Sequence, residues 1–323
     1  MRLARSVVFS FFVCITLAAT AIPVQAGYRH RGKEFPTPVP ASGPNAITLG
    51  ADGNLWFTEY YTNAIGRVTP AGSFTEFPVP TPYSGLFGIT SGPDGNLWFT
   101  EDYTNKIGRV TPSGVFSEFP VPTANSEPIG VAAGYDGNLW FTETGANKIG
   151  RMTPEGSVTA EFPLLPGSSP WGIAAGPDGN TWFTERDSNR IGQITPAGVV
   201  QTFLVPTAGS QPFGLATGPD GNLWFTEYGN NIGRITPAGA IDEFPVPTAG
   251  SIPWGVTAGS DGNLWFTELV GDDIGRISTT GVVTEFAVPT PDSLPQGITA
   301  GPDGKVWFCE LAGSNIAAFR PRR

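Results

Sequence analysis

Seven glutamates, Glu59, Glu101, Glu143, Glu185, Glu227, Glu268 and Glu310, each end a copy of one short text, LWFTE or a close variant of it, at intervals of 41 or 42 residues. Carboxylates repeated around a ring could chelate a hard cation, because Mg²⁺ and Ca²⁺ prefer oxygen ligands. They could equally be structural, accepting hydrogen bonds from backbone donors of a neighbouring copy or pairing with the arginine column Arg67, Arg109, Arg151, Arg234 and Arg276. Two copies, those of Glu185 and Glu310, lack that arginine, the first with Gln193 in its place, yet keep the acid, so arginine pairing is not the whole reason for it. A second column stands just before a glycine or alanine and reads Asn45, Phe87, Ile129, Trp171, Phe213, Trp254 and Gln296. Its four aromatic residues offer flat apolar area between two polar ends, which suits an apolar, aromatic or sugar-like ligand. The same rings could instead pack together and plug a channel.

Nucleophilic and general-base chemistry is thinly represented. The only histidine, His30, lies close to the start of the chain and reads as part of a solvated tail. No Ser-His or Cys-His pair can be assembled from the repeat. Cys309 replaces a threonine of the other copies inside a strand and reads as a small buried hydrophobe.

The elements that must position these columns follow from the repeat. The text DGNLWFTE or a near copy begins at Asp52, Asp94, Asp136, Asp178, Asp220, Asp261 and Asp303. In the second copy Gly88–Ser91 is strand-like, Pro93-Asp94-Gly95-Asn96 is a turn, and Leu97–Glu101, Ile107–Thr111 and Val115–Phe119 are three further strands separated by turn residues. One such sheet cannot cover both its faces, but seven stacked around an axis bury the Trp and Phe columns between neighbours. The prediction is an all-β, seven-bladed β-propeller of four-stranded antiparallel blades. Its first strands line a central channel and run toward the PDGN turn, and the second strands return and finish at the glutamate. The aromatic column and the glutamates therefore share one rim. The last copy ends at Phe319 without a fourth strand, whereas Lys33-Glu34-Phe35-Pro36, ahead of the first copy, resembles the fourth-strand text Glu76-Phe77-Pro78. The N-terminal strand is expected to complete the last blade and remove an open edge.

Composition narrows the partners. With 14% charged and 40% hydrophobic residues, the chain is neither disordered nor built for nucleic acid, and its 43 Gly and 32 Pro punctuate turns at fixed intervals. Arg2 and Arg5, an apolar run from Val7 to Ile22 and Val24-Gln25-Ala26 have the order of a secretory signal peptide cleaved after Ala26, too short and too polar for a membrane span. The expected organisation is a signal peptide over 1–26 and one propeller domain over 27–323, exported to the periplasm or the extracellular space and acting as a monomer. Losing two arginines and no acid moves the net charge from −10 to −12, which disfavours nucleic acid further. Cys14 leaves with the signal, so Cys309 has no disulfide partner within the chain. Arg29, Arg31, Lys33, Arg320, Arg322 and Arg323 gather near the two ends and could dock an acidic partner or simply be solvated.

With the repeat in view, the wording WFTE…NKIGRVTPSG…EFPVPT resembles the virginiamycin B lyase (streptogramin lyase) family over nearly all of the chain after Ala26. The resemblance implies a seven-bladed propeller and, where the site is intact, opening of a cyclic depsipeptide antibiotic at its ester bond by elimination, with Mg²⁺ and a histidine base at the channel mouth. The family places histidines in the aromatic column of the last two blades, where this chain has Trp254 and Gln296. Of its two metal-binding glutamates, one falls on Leu294 and the other matches Glu310. A proton beside a carbonyl needs a base, and neither an indole nor an amide can serve. Glu310, with Glu268, is then the candidate metal ligand, and Mg²⁺ is implied by the resemblance alone. Three readings follow. The preferred one is an exported non-lyase propeller that binds a small molecule, peptide or glycan through Asn45, Phe87, Trp171, Phe213, Trp254 and Gln296. The others are a Mg²⁺-dependent lyase with a rearranged site, and a protein-interaction scaffold argued from fold alone. The closing strand has its own test: deleting residues 27–40 from the mature protein is expected to lower the thermal midpoint markedly, and an unchanged midpoint would refute the clasp.

Overall fold

The computed structural model describes residues 32–320, and every regular element in that range is a β-strand. Twenty-eight strands form seven four-stranded antiparallel sheets, each consecutive in the chain except the one that closes the ring. Blade one runs Pro44–Leu49, Leu55–Glu59, Ala64–Val68 and Phe74–Pro78 from the axis outward, and the other blades repeat it. The predicted seven-bladed propeller is the observed fold.

The repeated DGN-L-W text works as a local lock. Asp52 Oδ1 accepts hydrogen bonds from Asn54 N and from the Trp56 indole, both at 3.1 Å, while Oδ2 accepts from Asn54 Nδ2 at 2.8 Å. Gly53 takes φ +76°, the left-handed conformation this turn demands. The indole is thus satisfied and can be buried whole; the second-strand tryptophan is at most 1% exposed in all seven blades. Strand alternation then divides the labour. Trp56 packs against Leu97, Phe99 and Val110 of blade two, whereas Leu55 and Phe57 face Trp307 and Cys309 of blade seven. The core is a set of layers between blades, so no blade is stable without its neighbours.

Close to the axis a second device joins the blades. Thr58 Oγ1 accepts a hydrogen bond from Ala46 N at 3.1 Å and donates to the carbonyl of Phe87 in the next blade at 2.9 Å. Thr100, Thr142, Thr184, Thr226 and Thr267 repeat the bridge. Residues such as Gly88 and Gly172 lie against it: a Cβ there would collide with the next blade's carbonyl oxygen, so glycine permits the approach. The seventh bridge is missing. Cys309, fully buried as expected, stands in the threonine position, and among the described residues no side chain bonds Gly297 N or the Asn45 carbonyl.

The ring closes through the N-terminal strand. Gly32–Pro36 pairs antiparallel with Asn315–Phe319, in register from Gly32↔Phe319 to Pro36↔Asn315. Phe35 stacks on Trp307 at 5.4 Å, as Phe77 does on Trp56. Glu34 accepts from Thr290 N and Oγ1, both at 2.9 Å, the part Glu118 plays toward Thr81. Lys33 lies on this strand with its ammonium 4.3 Å from the Phe35 ring centroid. The expected signal segment over 1–26, His30, Arg29, Arg31, Arg322 and Arg323 fall outside the described residues. Among the described residues no helix is long and apolar enough to cross a membrane.

The missing bridge gives a direct test. Cys309→Thr restores a donor and an acceptor at the junction of blades seven and one, and should stabilise the protein by about 1 kcal/mol, seen as a rise of roughly 2 °C in the thermal midpoint. A fall would show that the junction is packed for sulfur.

Candidate functional site

The site begins at a bulge. In each blade the first residue of the first strand pairs with the second-strand glutamate, Pro44↔Glu59 in blade one, and the register then slips before pairing resumes at Ile47↔Phe57. The same slip occurs in the other six blades. The residue freed at each slip belongs to the aromatic column, and the bulge turns its side chain toward the axis.

Phe87 and Trp171, from blades two and four, meet edge to face with centroids 5.3 Å apart. Trp171 lies 5.5 Å from Phe213 and 6.3 Å from Trp254, and Phe213 and Trp254 stack at 4.6 Å. Two of these contacts skip a blade, so the rings converge over the channel instead of lining its wall. Ile129, Trp171 and Phe213 are buried in this cluster, while Phe87 and Trp254 stay half-buried. The rings border a cavity of about 200 Å³ that continues among first-strand residues such as Ile47, Ile89 and Ile298. Asn45 also borders it, and Gln296 is buried on the same rim with its carbonyl accepting from Thr267 Oγ1 at 2.6 Å. The structure therefore brings the four aromatic candidates together and leaves the two amides at the margin.

The glutamates sit elsewhere. Each shares the strand face of the phenylalanine two residues before it, so the seven carboxyls are buried between blades at 0–1% exposure, and none lines the cavity. Their donors are nearby side chains: Thr62 for Glu59, Thr104 for Glu101, Ser188 for Glu185, Asn231 for Glu227 and Asn315 for Glu310. The arginine pairing considered from the sequence is not found among the described residues. Arg67 stands opposite Trp56, three residues from the glutamate end, stacks 5.3 Å from its ring and donates to the Pro112 carbonyl of the next blade at 3.0 Å. Among the described residues, backbone donors from neighbouring blades are equally absent from the glutamates' partners.

Burial pushes these acids up, and the fourth-strand glutamate facing most of them adds to it. Glu59 and Glu101 reach about 7, and Glu143 and Glu268 about 8. Glu227 and Glu310 are raised for the same reasons, with Glu243 and Glu34 as the facing acids. Glu185 is raised by burial, opposed by Ser188 and then Arg190; its blade has Thr202 where a facing glutamate would stand. Among the described residues several of these oxygens have no hydrogen-bond partner, including both of Glu143 and both of Glu268.

A resident Mg²⁺ does not fit this donor set. Around Glu310 the family's other positions hold Leu294, which cannot ligate, and the amide of Gln296 and indole of Trp254. Among the described residues no three His, Cys, Asp or Glu side chains converge as a metal site.

A further ring of side chains was not singled out from the sequence. Tyr60, Asp102, Thr144, Arg186 and Tyr228 each follow a second-strand glutamate. Arg186 lies 4.8 Å from the Trp171 centroid, Tyr228 6.2 Å from Phe213, Thr144 Oγ1 donates to the Pro170 carbonyl, and Tyr60 bonds Tyr103 between blades one and two. The signal was present: this position varies from copy to copy right after five letters that hardly change.

Seven four-stranded blades around a channel, closed by an N-terminal strand and capped at one mouth, make the protein a β-propeller with a mouth-centred candidate site. A model of the virginiamycin B lyase family matches residues 26–198 and again 160–322, and the chain belongs to that family. A streptogramin B lyase structure superposes with a TM-score of 0.85 at 39% identity, covering 89% of this chain and 96% of that one. Virginiamycin B lyase from Staphylococcus aureus gives 0.86 at 38% identity, covering 90% and 99%, and a catalytically inactive histidine-to-alanine form of it with quinupristin gives 0.86 at 37% over the same shares. Among curated relatives, the virginiamycin B lyase of Saccharopolyspora erythraea is 47% identical over 43 residues, which is 13% of this chain and 14% of that protein.

The raised acids set a pH dependence. The folded chain holds protons on them that the unfolded chain releases near the ordinary 4.5, so their contribution is complete below about pH 4.5 and is lost as pH rises through 7 to 8. The thermal midpoint should fall from pH 5 to pH 9. Glu268→Gln, which mimics the protonated form, should match the wild type at pH 5 and exceed it at pH 9; equal midpoints at pH 9 would contradict the assignment.

Proposed function

We propose that this chain is an exported, non-lyase member of its family that binds a small molecule, a peptide or a glycan at the channel mouth. The observation that carries this reading is the convergence of Phe87, Trp171, Phe213 and Trp254 over the axis. Half-buried rings such as Phe87 and Trp254 give a ligand flat apolar area to displace water from, and the amides of Asn45 and Gln296 at the margin supply donors and acceptors to orient it. Elimination at an ester needs a base that takes the proton beside the carbonyl. Trp254 has only an N–H to give, and the Gln296 amide does not accept a proton near neutrality. Export is argued from the order of residues 2–26.

The similarity at 38% identity over 90% of the chain favours one second reading, a lyase with a rearranged site. In that case a buried carboxyl with a raised pKa, Glu268 or Glu310, would have to turn toward the channel to act as the base.

Incubation with quinupristin, the compound seen with the Staphylococcus aureus relative, separates the two. With Mg²⁺ present the antibiotic should remain cyclic by chromatography over hours; a linear product would establish the lyase. Trp171→Ala and Trp254→Ala should each weaken binding of a ligand found by screening at least tenfold, about 1.4 kcal/mol, while the fold is retained.

A further inference from the structure

Three positions per blade surround the mouth outside the ring of aromatic residues: the residue just before the first strand and the two that follow the second-strand glutamate. Across seven blades only Asp102, Glu127, Arg186 and Asp187 among them carry charge. Arg186 and Asp187 form a closed pair. Arg186 Nε donates to Asp187 Oδ1 at 2.8 Å, Asp187 also accepts from Ser169 Oγ at 2.6 Å, and the guanidinium lies over Trp171.

The other two have no such partner. Asp102 N donates to the Gly85 carbonyl at 3.0 Å, which fixes Asp102 beside the start of the strand that carries Phe87. Asp102 is 7% exposed, its carboxyl accepts no hydrogen bond from the described residues, and Glu127 of blade three lies near enough to act on its charge. Neither acid has a lysine or arginine within ion-pair distance among the described residues. Burial, then Glu127, pushes Asp102 up to about 7, the mark of a carboxylate that lacks a cation. An unpaired acid at the edge of an aromatic cluster is the arrangement that recognises a positively charged nitrogen, through the carboxylate and the ring faces together.

We propose that the mouth takes ligands carrying a cationic nitrogen beside an aromatic or apolar group, with the nitrogen docking at Asp102 and Glu127 and the apolar part on the rings next to Phe87. This deepens the mouth-binding reading and rests on it. The net charge of −10 would draw such ligands in at long range.

Calorimetric titration with phenethylamine and with phenethyl alcohol, which share a ring and differ in the charge, tests it. The wild type should bind the amine about tenfold tighter than the alcohol. Asp102→Asn and Glu127→Gln should each reduce that preference and together abolish it, leaving alcohol binding and the thermal midpoint at pH 5 unchanged. Equal affinity of the wild type for the two compounds, or an amine preference that survives the double substitution, would overturn the cation proposal and leave ring binding standing. Binding of neither compound at millimolar concentration would overturn both.

Discussion

The structure depends on how closely adjacent first strands approach around the axis. At six of the seven junctions between blades a threonine hydroxyl satisfies one backbone N–H and one carbonyl that would otherwise be buried unpaired, and glycine beside most of these bridges lets the two backbones meet. This narrow spacing makes the channel slim enough for side chains on its rim to touch across it. Phe87 reaches Trp171 and Trp171 reaches Trp254 because the blades that carry them stand so near. Capping of the mouth is thus a consequence of the inter-blade bond.

The outer layers serve the same end by different means. The Asp-Asn-Trp lock satisfies each indole, and the indole fills the gap between blades. The buried acids are the exception to this economy of pairing. Six blades set two glutamates against each other, and only some of them have a basic neighbour, such as Lys106 at 2.8 Å from Glu118. Neutral carboxyls resolve the conflict, because a protonated acid can donate to its neighbour and sheds the desolvation cost of its charge.

Most of the fold was legible because it is written seven times. Identical turn text, strand formers at fixed offsets and an orphan EFP segment ahead of the first copy lead to seven blades and a closing strand. Antiparallel order alone placed the aromatic column and the glutamates on one rim. Side-chain direction was harder. Glu59 shares a face with Phe57, so alternation pointed it between blades and away from the axis, but ring symmetry suggested a chelating circle. Register set Arg67 opposite Trp56, which pairing from composition overlooked. The bulge that frees Trp171 leaves no mark in the text, so whether the rings would line the channel or meet over it was open. Asp102 and Arg186 were readable in another way. Where copies are nearly identical, a position that changes from blade to blade is not needed by the fold and is available to a ligand.

The mouth is the place where these constraints become specific to this chain, and its nine tryptophans report on it separately. Seven are locked between blades, and Trp171 and Trp254 belong to the cap. Fluorine NMR of protein labelled with 5-fluorotryptophan, titrated with phenethylamine, tests the central claim most directly. Two resonances should move in a saturable way, vanish one at a time in Trp171→Phe and Trp254→Phe, and leave the other seven in place. Nine unmoved resonances, or movement confined to the seven inter-blade indoles, would contradict a ligand site at the capped mouth.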